Sequence, residues 1–539
     1  MEKLQSDYYS IERSLVKLNL HINYGKSTIL DFSLRHNPVQ ELTITGSCGV
    51  IKQSRVTKYL GMKFDDNLNW GAHTKYIKQR VKMDVDALAF LKGTRWGNHP
   101  DDQMILYKSV ILPKINYGAF TYLSQSANAV KHLQCSQNAA LRKITGMVRT
   151  TSVFAIHTIT GMLPMEYQAR YAAHLQLTNL YVNNTTARQE LIQLHAALYL
   201  KYSAKYNKLE TSLRNMIDYS EETKLFLPNQ QQLQYTVPKG GWGKYVTESI
   251  PGIKKGEGLP ARQLAIASEF LHARYPEHTL IFTDGSKGVE GAAGAMWCGH
   301  HGLGDGVRLH KLTTSYQAEI EGLTLAMTHI KLHVKSKNIV ILTYSKSALQ
   351  AIRSLRQHER PPLSLLRLLQ QLQARMEEGY TLHLQFVPSH IGLEGNEKAD
   401  REAGRVRRAA NLLLGYRTMY SDCSQEMMRR LREEWRTEYG LRGGPGEWTR
   451  AIFGKPADKP WFHNHRELSN KQITDINRIL SGHANNNQFK NRMKPATHSP
   501  ICNQCDSNAI QTVSHTLTEC SKHQTVITSV LDEYSQIPK

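Results

Sequence analysis

No run of eighteen apolar residues, the minimum for a spanning helix, occurs in the 539-residue chain. Its first residues, Met1-Glu2-Lys3-Leu4-Gln5-Ser6-Asp7, hold no apolar core. The sequence therefore predicts neither a membrane span nor a secretory leader. Acidic residues are scarce: 46 Asp and Glu face 68 Lys and Arg, leaving a net charge of +22. Such a balance favours a polyanionic partner, above all nucleic acid. Cysteine is too sparse for a disulfide framework. Of seven, Cys48, Cys135, Cys298 and Cys423 are scattered, while Cys502, Cys505 and Cys520 crowd the C-terminus. That clustering reads as metal binding in a reducing, intracellular compartment, with nucleus and cytoplasm not distinguished. Apolar residues make up 40% and charged residues 21%, which excludes wholesale disorder and leaves enough for ordinary cores. At roughly 150 residues per domain, the length predicts three or four domains.

Along the chain, residues 1–75 mix helix and strand signals. Thr28-Ile29-Leu30-Asp31-Phe32 and Val56–Phe64 read as strands. A helical pattern then runs to Tyr206, punctuated by Pro113 and Gly146. Residues 207–276, with Gln230-Gln231-Gln232 and Gly240-Gly241, read as a polar linker with some local helix. Strand and helix signals alternate from about His278 to Gly404. A basic run follows, Arg405-Val406-Arg407-Arg408, then a charged helix over 424–438 and the cysteine-bearing tail.

The alternating block carries the chemistry. Thr279–Ser286 reads as a buried strand that ends at Asp284, where an acidic side chain can hold a metal. Tyr316, Ile320, Leu323, Met327, Ile330 and Val334 form one helical stripe, capped by Ser315, with Glu319 beside it. Asn338–Thr343 is a buried strand leading through Tyr344 into a helix capped by Ser345. A further strand, Thr381–Val387, enters a loop in which Gly392 and Gly395 hold His390, and Asn396 caps a helix bearing Asp400. Taken in order, Thr283-Asp284-Gly285-Ser286, Ala318-Glu319 and His390-x-Gly-x-x-Gly-Asn-Glu-x-Ala-Asp400 resemble the type 1 ribonuclease H domain.

The resemblance implies an α/β domain, a mixed sheet with flanking helices, over 277–405. It implies cleavage of RNA in RNA–DNA hybrids by two Mg²⁺ (or Mn²⁺) ions held on carboxylates. By position Asp284, Glu319 and Asp400 match three of the family's four metal ligands, and His390 matches its mobile catalytic histidine. The fourth ligand is replaced. Thr343-Tyr344-Ser345-Lys346-Ser347-Ala348-Leu349 aligns without a gap, and Tyr344 takes the Asp position. A phenol, with an ordinary pKa of about 10, offers no negative charge at neutral pH. The resemblance thus leaves two readings, a hybrid ribonuclease impaired at Tyr344 and a catalytically inactive nucleic-acid-binding remnant.

The flanks extend the resemblance to polyproteins of non-LTR retrotransposons. Leu20-His21-Ile22-Asn23-x-x-Lys26-Ser27 and Tyr59–Asp65 are similar to the last palm motifs of their reverse transcriptases. Asn116-Tyr117-Gly118-Ala119 and Gln137-Asn138-x-x-Leu141-Arg142-x-Ile144-Thr145-Gly146 are similar to the thumb and connecting helices. No Ala-Asp-Asp triplet occurs, and Asp101-Asp102 lies downstream of both palm motifs. The expectation is a palm remnant over 1–75, a thumb region over 76–206, and no template-directed polymerisation. A helical basic region is expected over 406–495 and a zinc-knuckle-like tail over 496–539. In the tail Cys502-x2-Cys505-x9-His515-x4-Cys520 is a complete tetrahedral Zn²⁺ set, with His523 a rival to His515. His300-His301 and His463-x-His465 read as surface histidines. The expected partner is an RNA–DNA hybrid or other nucleic acid; no membrane is expected, and no protein partner is indicated.

Overall fold

A computed structural model describes residues 2–32, 42–93, 97–123, 126–206, 212–223, 225, 227, 237–253, 259–356, 359, 361–409, 418–441 and 446–535. The glutamine run 230–232 lies outside them. The chain divides into two units, one of residues 1–176 with 431–539, the other of residues 177–430.

The first unit is mainly helical. Helices Gly71–Phe90 and Ala127–Thr145 present Ile77, Val81, Val85 and Leu88, and Leu133, Leu141 and Ile144, to one core that Phe462 and Ile473 also enter. Polar groups fix the same packing: Asn477 Nδ2 donates to the Thr145 carbonyl at 3.0 Å, and Arg466 pairs with Asp102 at 2.7 Å. His463 is no idle surface histidine, because its Nδ1 meets the buried Asp101 carboxylate at 3.1 Å. The expected single strand over Val56–Phe64 is a hairpin, Val56–Tyr59 with Met62–Asp65. Leu60 and Gly61 both have positive φ, 45° and 87°, the backbone a tight two-residue hairpin turn demands. Thr28–Phe32 forms only an isolated bridge at Ile29. Helix also continues past Pro113 to Asn116, because a wider turn over Tyr107–Ile111 precedes it. Proline donates no amide hydrogen bond, and an irregular turn accommodates that loss.

The second unit is built on a six-stranded sheet. Its strands are β1 (Val246–Thr247), β2 (Thr279–Lys287), β3 (Ala292–Cys298), β4 (Leu303–Leu309), β5 (Asn338–Thr343) and β6 (Thr381–Phe386). The spatial order is β1-β6-β5-β2-β3-β4, with β1, β6, β5 and β2 mutually parallel and β2-β3-β4 an antiparallel meander. Among the described residues five helices flank it: α1 (Pro260–Arg274), α2 (Ser315–His333), α3 (Lys346–Ser354), α4 (Leu363–Glu377) and α5 (Glu394–Arg408).

The unbroken apolar run of β5 follows from burial on both faces. Ile339 and Ile341 point into a core with Ile320, Leu323, Ile330, Leu349 and Leu368 from α2, α3 and α4. Val340 and Leu342 point the other way, against Ala267 and Leu271 of α1 and Ala399 of α5. Each such side chain is worth about 1.5–3 kcal/mol of burial. The stretch read as a linker therefore also contributes a strand and a core-packing helix to this sheet, besides the helix Ser212–Glu222.

Three caps differ from expectation: Ser345 stands at the start of α3 without a capping hydrogen bond to its hydroxyl, and two others are displaced. Thr314 caps α2, its hydroxyl accepting from Gln317 N at 3.1 Å, and Ser315 is the first helical residue. Leu393 is the residue that precedes α5, so Asn396 and Gly395 lie inside its first turn and Asn396 is buried.

Candidate active site

The last parallel pair between β2 and β5 is Thr283 with Thr343. Asp284 and Tyr344 are therefore adjacent, one residue beyond it, at the carboxyl ends of the parallel strands. Asp284 does not end its strand as expected; β2 runs on to Lys287 because β3 continues to pair with it, Asp284 opposite Ala295.

Two glycines bring the remaining carboxylates in. A Cβ on Gly285 would lie 2.4 Å from the amide nitrogen of Glu319, so only glycine lets α2 approach β2 this closely. A Cβ on Gly395 would lie 2.2 Å from the Phe282 ring, and its absence seats the first turn of α5, and hence Asp400, on the other side of the strand. Gly285→Ala should cost about 1–3 kcal/mol, because backbone rather than a flexible side chain must yield. Urea melts of the two proteins measure this, and equal midpoints would remove the close approach as a determinant of the site.

Asp284 is 4% exposed and Glu319 3% exposed. The Asp284 and Asp400 carboxyl groups lie close enough for each to act on the other's charge. Burial, and then the negative charge of Asp400, push the Asp284 carboxyl up to about 7. Burial and the charge of Asp284 push Glu319 well above the usual carboxylate range, partly opposed by a hydrogen bond from the Tyr344 phenol. The second oxygen of Glu319, Oε2, is buried without a hydrogen-bond partner. Tyr344, half-buried, is raised in turn by burial and by Glu319, so its hydroxyl keeps its proton and acts as a donor. A crowded set of hard oxygen donors with an orphaned carboxylate oxygen fits a divalent cation, which would relieve the repulsion that now raises both acids.

His390 sits exposed in a left-handed conformation, φ 55°. Its ring comes within 4.8 Å of the carboxylates of Glu397 and Asp400. Glu397 was legible only as a letter of the motif. The structure sets it one helical turn before Asp400, beside the site, and its charge also reaches Asp284. Its i, i+3 spacing to Asp400 was the available signal.

In the first unit, Cys502, Cys505, His515 and Cys520 converge, with all four donor atoms within 4.8 Å of one another. Cys502 Sγ and Cys520 Sγ are 4.0 Å apart, and Cys505 Sγ is 3.4 Å from His515 Nε2. Around a tetrahedral zinc those separations are about 3.8 and 3.5 Å, from bond lengths near 2.3 and 2.0 Å. Hydrogen bonds from Ser507 hold the Cys505 thiol down to about 6, the thiolate character a ligand needs. Glu519 Oε2 faces His515 Nδ1 at 3.4 Å, a charge contact on the side of the ring away from the sulfurs. His523 lies outside this cluster.

Residues 276–408 match the RNase H family. Over 113 residues the chain is 30% identical to the Retrovirus-related Pol polyprotein from type-1 retrotransposable element R1 4 of Nasonia vitripennis, a match covering 21% of this chain and 29% of that one. It is 25% identical over 128 residues to the RNA-directed DNA polymerase from mobile element jockey of Drosophila melanogaster, covering 24% of this chain and 14% of that one. A relative from the transposon X-element of Drosophila melanogaster is 26% identical over 153 residues, covering 28% of this chain and 17% of that one. The chain thus carries an RNase H domain and is homologous to the polyproteins of non-LTR retrotransposons, and each match covers less than a third of the relative's length. Among the described residues no helix is long and apolar enough to cross a membrane.

Proposed function

We propose that the chain binds nucleic acid and that its RNase H domain is a metal-dependent hybrid ribonuclease, impaired by Tyr344. The observation that carries this reading is buried Asp284 with Asp400 acting on it and Glu319 beside it, Asp284 raised by burial and Asp400, and Glu319 raised by burial and Asp284. Mg²⁺ or Mn²⁺, when bound, supplies Lewis-acid activation for phosphodiester hydrolysis. Asp284, Glu319 and Asp400 would hold the ions. His390, exposed next to Glu397 and Asp400, is suited to carry a proton between the site and solvent. Tyr344 works against this: at the position of the missing carboxylate it offers only a neutral hydroxyl beside Glu319.

The second reading, a remnant that binds but does not cut, is favoured by that same Tyr344–Glu319 contact. Cleavage of a labelled RNA strand in a hybrid, by wild type and by Asp284→Asn, separates the two. Metal-dependent cleavage lost in the variant supports the nuclease. Tight hybrid binding without cleavage in either protein supports the remnant.

Binding itself is supported by the charge of +22. Part of the run Arg405–Arg408 is spent internally, Arg405 on Glu402 at 2.6 Å and Arg407 on Glu290 at 2.9 Å. A groove in the first unit offers other cations, with Lys75, Lys78, Lys82 and Lys143 lining it from helices Gly71–Phe90 and Ala127–Thr145. We expect log affinity for duplex to fall with log salt by about 0.9 for each phosphate neutralised. Lys78→Glu with Lys82→Glu should weaken binding across sequences and flatten that slope by roughly one unit per lost contact. A slope unchanged in the double variant would place the phosphate-tracking surface elsewhere. The tail, in this reading, is a zinc clip formed by Cys502, Cys505, His515 and Cys520.

A further inference from the structure

A second sulfur–imidazole cluster lies in the RNase H domain, at the carboxyl end of β3, beyond Ala295, the residue paired with Asp284. Cys298 is the last residue of β3, His301 is in the turn to β4, and His329 is in the last turns of α2. Cys298 Sγ is 3.4 Å from His301 Nδ1, and His301 Nδ1 is 3.1 Å from His329 Nε2. All three donor atoms lie within 4.8 Å of one another.

Hydrogen bonding alone serves this arrangement poorly. A single imidazole nitrogen carries either one proton or one lone pair, directed along one line in the ring plane. Nδ1 of His301 faces two partners and cannot align with both. A cation among the three atoms uses all three lone pairs at once. Around zinc, sulfur–nitrogen and nitrogen–nitrogen separations are about 3.5 and 3.4 Å, close to those observed.

Burial and spacing point the same way. Cys298 is fully buried and His329 is 5% exposed, while His301 stands on the exposed turn, so two ligands are fixed and the third closes from outside. His333, one helical turn beyond His329, has its ring 5.1 Å from the His329 ring on the solvent side. Cys298-x2-His301 followed by His329-x3-His333 repeats the short pair spacings of structural zinc sites. A thiolate with imidazoles selects a borderline or soft ion over Mg²⁺, so this site does not compete for the carboxylate metals.

We propose that Cys298, His301 and His329 bind one Zn²⁺, with its fourth position open to solvent and within the compass of His333, and that the ion pins the β3–β4 turn to α2. The proposal stands apart from hybrid cleavage, since none of these residues belongs to the carboxylate site.

The test is zinc content of the full chain after zinc loading and removal of loosely held metal by gel filtration. His301→Ala removes an exposed side chain and should leave the fold intact by circular dichroism. It should bind one zinc ion fewer per chain than wild type. Cys298→Ser should lose the same ion, and His300→Ala, altering the neighbouring exposed histidine, should lose none. With Co²⁺ in place of zinc, the wild-type minus His301→Ala difference spectrum should show a near-ultraviolet thiolate band of single-sulfur intensity. Equal zinc content in wild type and a folded His301→Ala would overturn the proposal. So would equal losses in His300→Ala and His301→Ala, which mark a non-specific surface histidine pair.

Discussion

Tyr344→Asp is expected to raise Mg²⁺-dependent cleavage of an RNA–DNA hybrid. The substitution acts twice. It removes the bulky neutral phenol beside Glu319, and it places an anionic oxygen beside Asp284 at the ends of the parallel strands. Two Mg²⁺ ions carry four positive charges, which four carboxylates match and three do not. Partners that only orient a metal ligand are worth 10–100-fold in affinity or activity, so a restored direct ligand should return a gain on the order of 100-fold. The fold should tolerate the change, because Tyr344 is half-buried at the site rather than packed within the core. Adding Asp284→Asn should abolish the gain. A Tyr344→Asp protein no faster than a wild type that already cleaves efficiently would show that Tyr344 does not occupy a ligand position. If both proteins are folded and inert, the remnant reading takes over.

Cys505→Ser should have the largest effect on structure. Apparent binding energies of structural zinc sites run to about 10–16 kcal/mol near neutral pH, and in so small a module that is folding energy. We expect zinc content to fall by one ion per chain, with the segment between helices Asn487–Met493 and Ser521–Ser535 becoming susceptible to protease. His515→Ala should behave likewise, because His515 is 2% exposed and faces the cysteines, whereas His523→Ala should keep its metal. The reverse outcome for the two histidines would make His523 the ligand. Unchanged zinc in Cys505→Ser would remove that cysteine from the site.

The features legible in sequence are those set by local pattern. The stripe from Ile320 to Val334 is buried as its spacing predicts, and β5 is the doubly buried strand its apolar run indicates. The ordered motifs around Asp284, Glu319 and His390–Asp400 indicate the RNase H domain, which the family match over residues 276–408 bears out. What stayed hidden depends on distant partners or near-equivalent neighbours. Thr313, Thr314 and Ser315 each carry a capping hydroxyl, and only the path of the chain selects Thr314. β1 is two residues long and is a strand only because β6 is beside it. The hairpin over Val56–Asp65 turns at Leu60, a residue rarely held at positive φ, so its turn signal is weak. Cys298 and His329 are brought together by the packing of α2 on the sheet, and the short spacings around each do not by themselves show that the two pairs meet.

Three carboxylates and a tyrosine, in the proposed reading, make a weakened two-metal hydrolase. Strand-specific cleavage of an end-labelled RNA–DNA hybrid by the purified wild-type chain, titrated with Mg²⁺ and then Mn²⁺, tests it most directly. We predict scission of the RNA strand alone, very slow in Mg²⁺, faster in Mn²⁺, which accepts altered ligand sets more readily, and absent in Asp284→Asn. Efficient cleavage in Mg²⁺, or cleavage that persists in Asp284→Asn, would contradict the account.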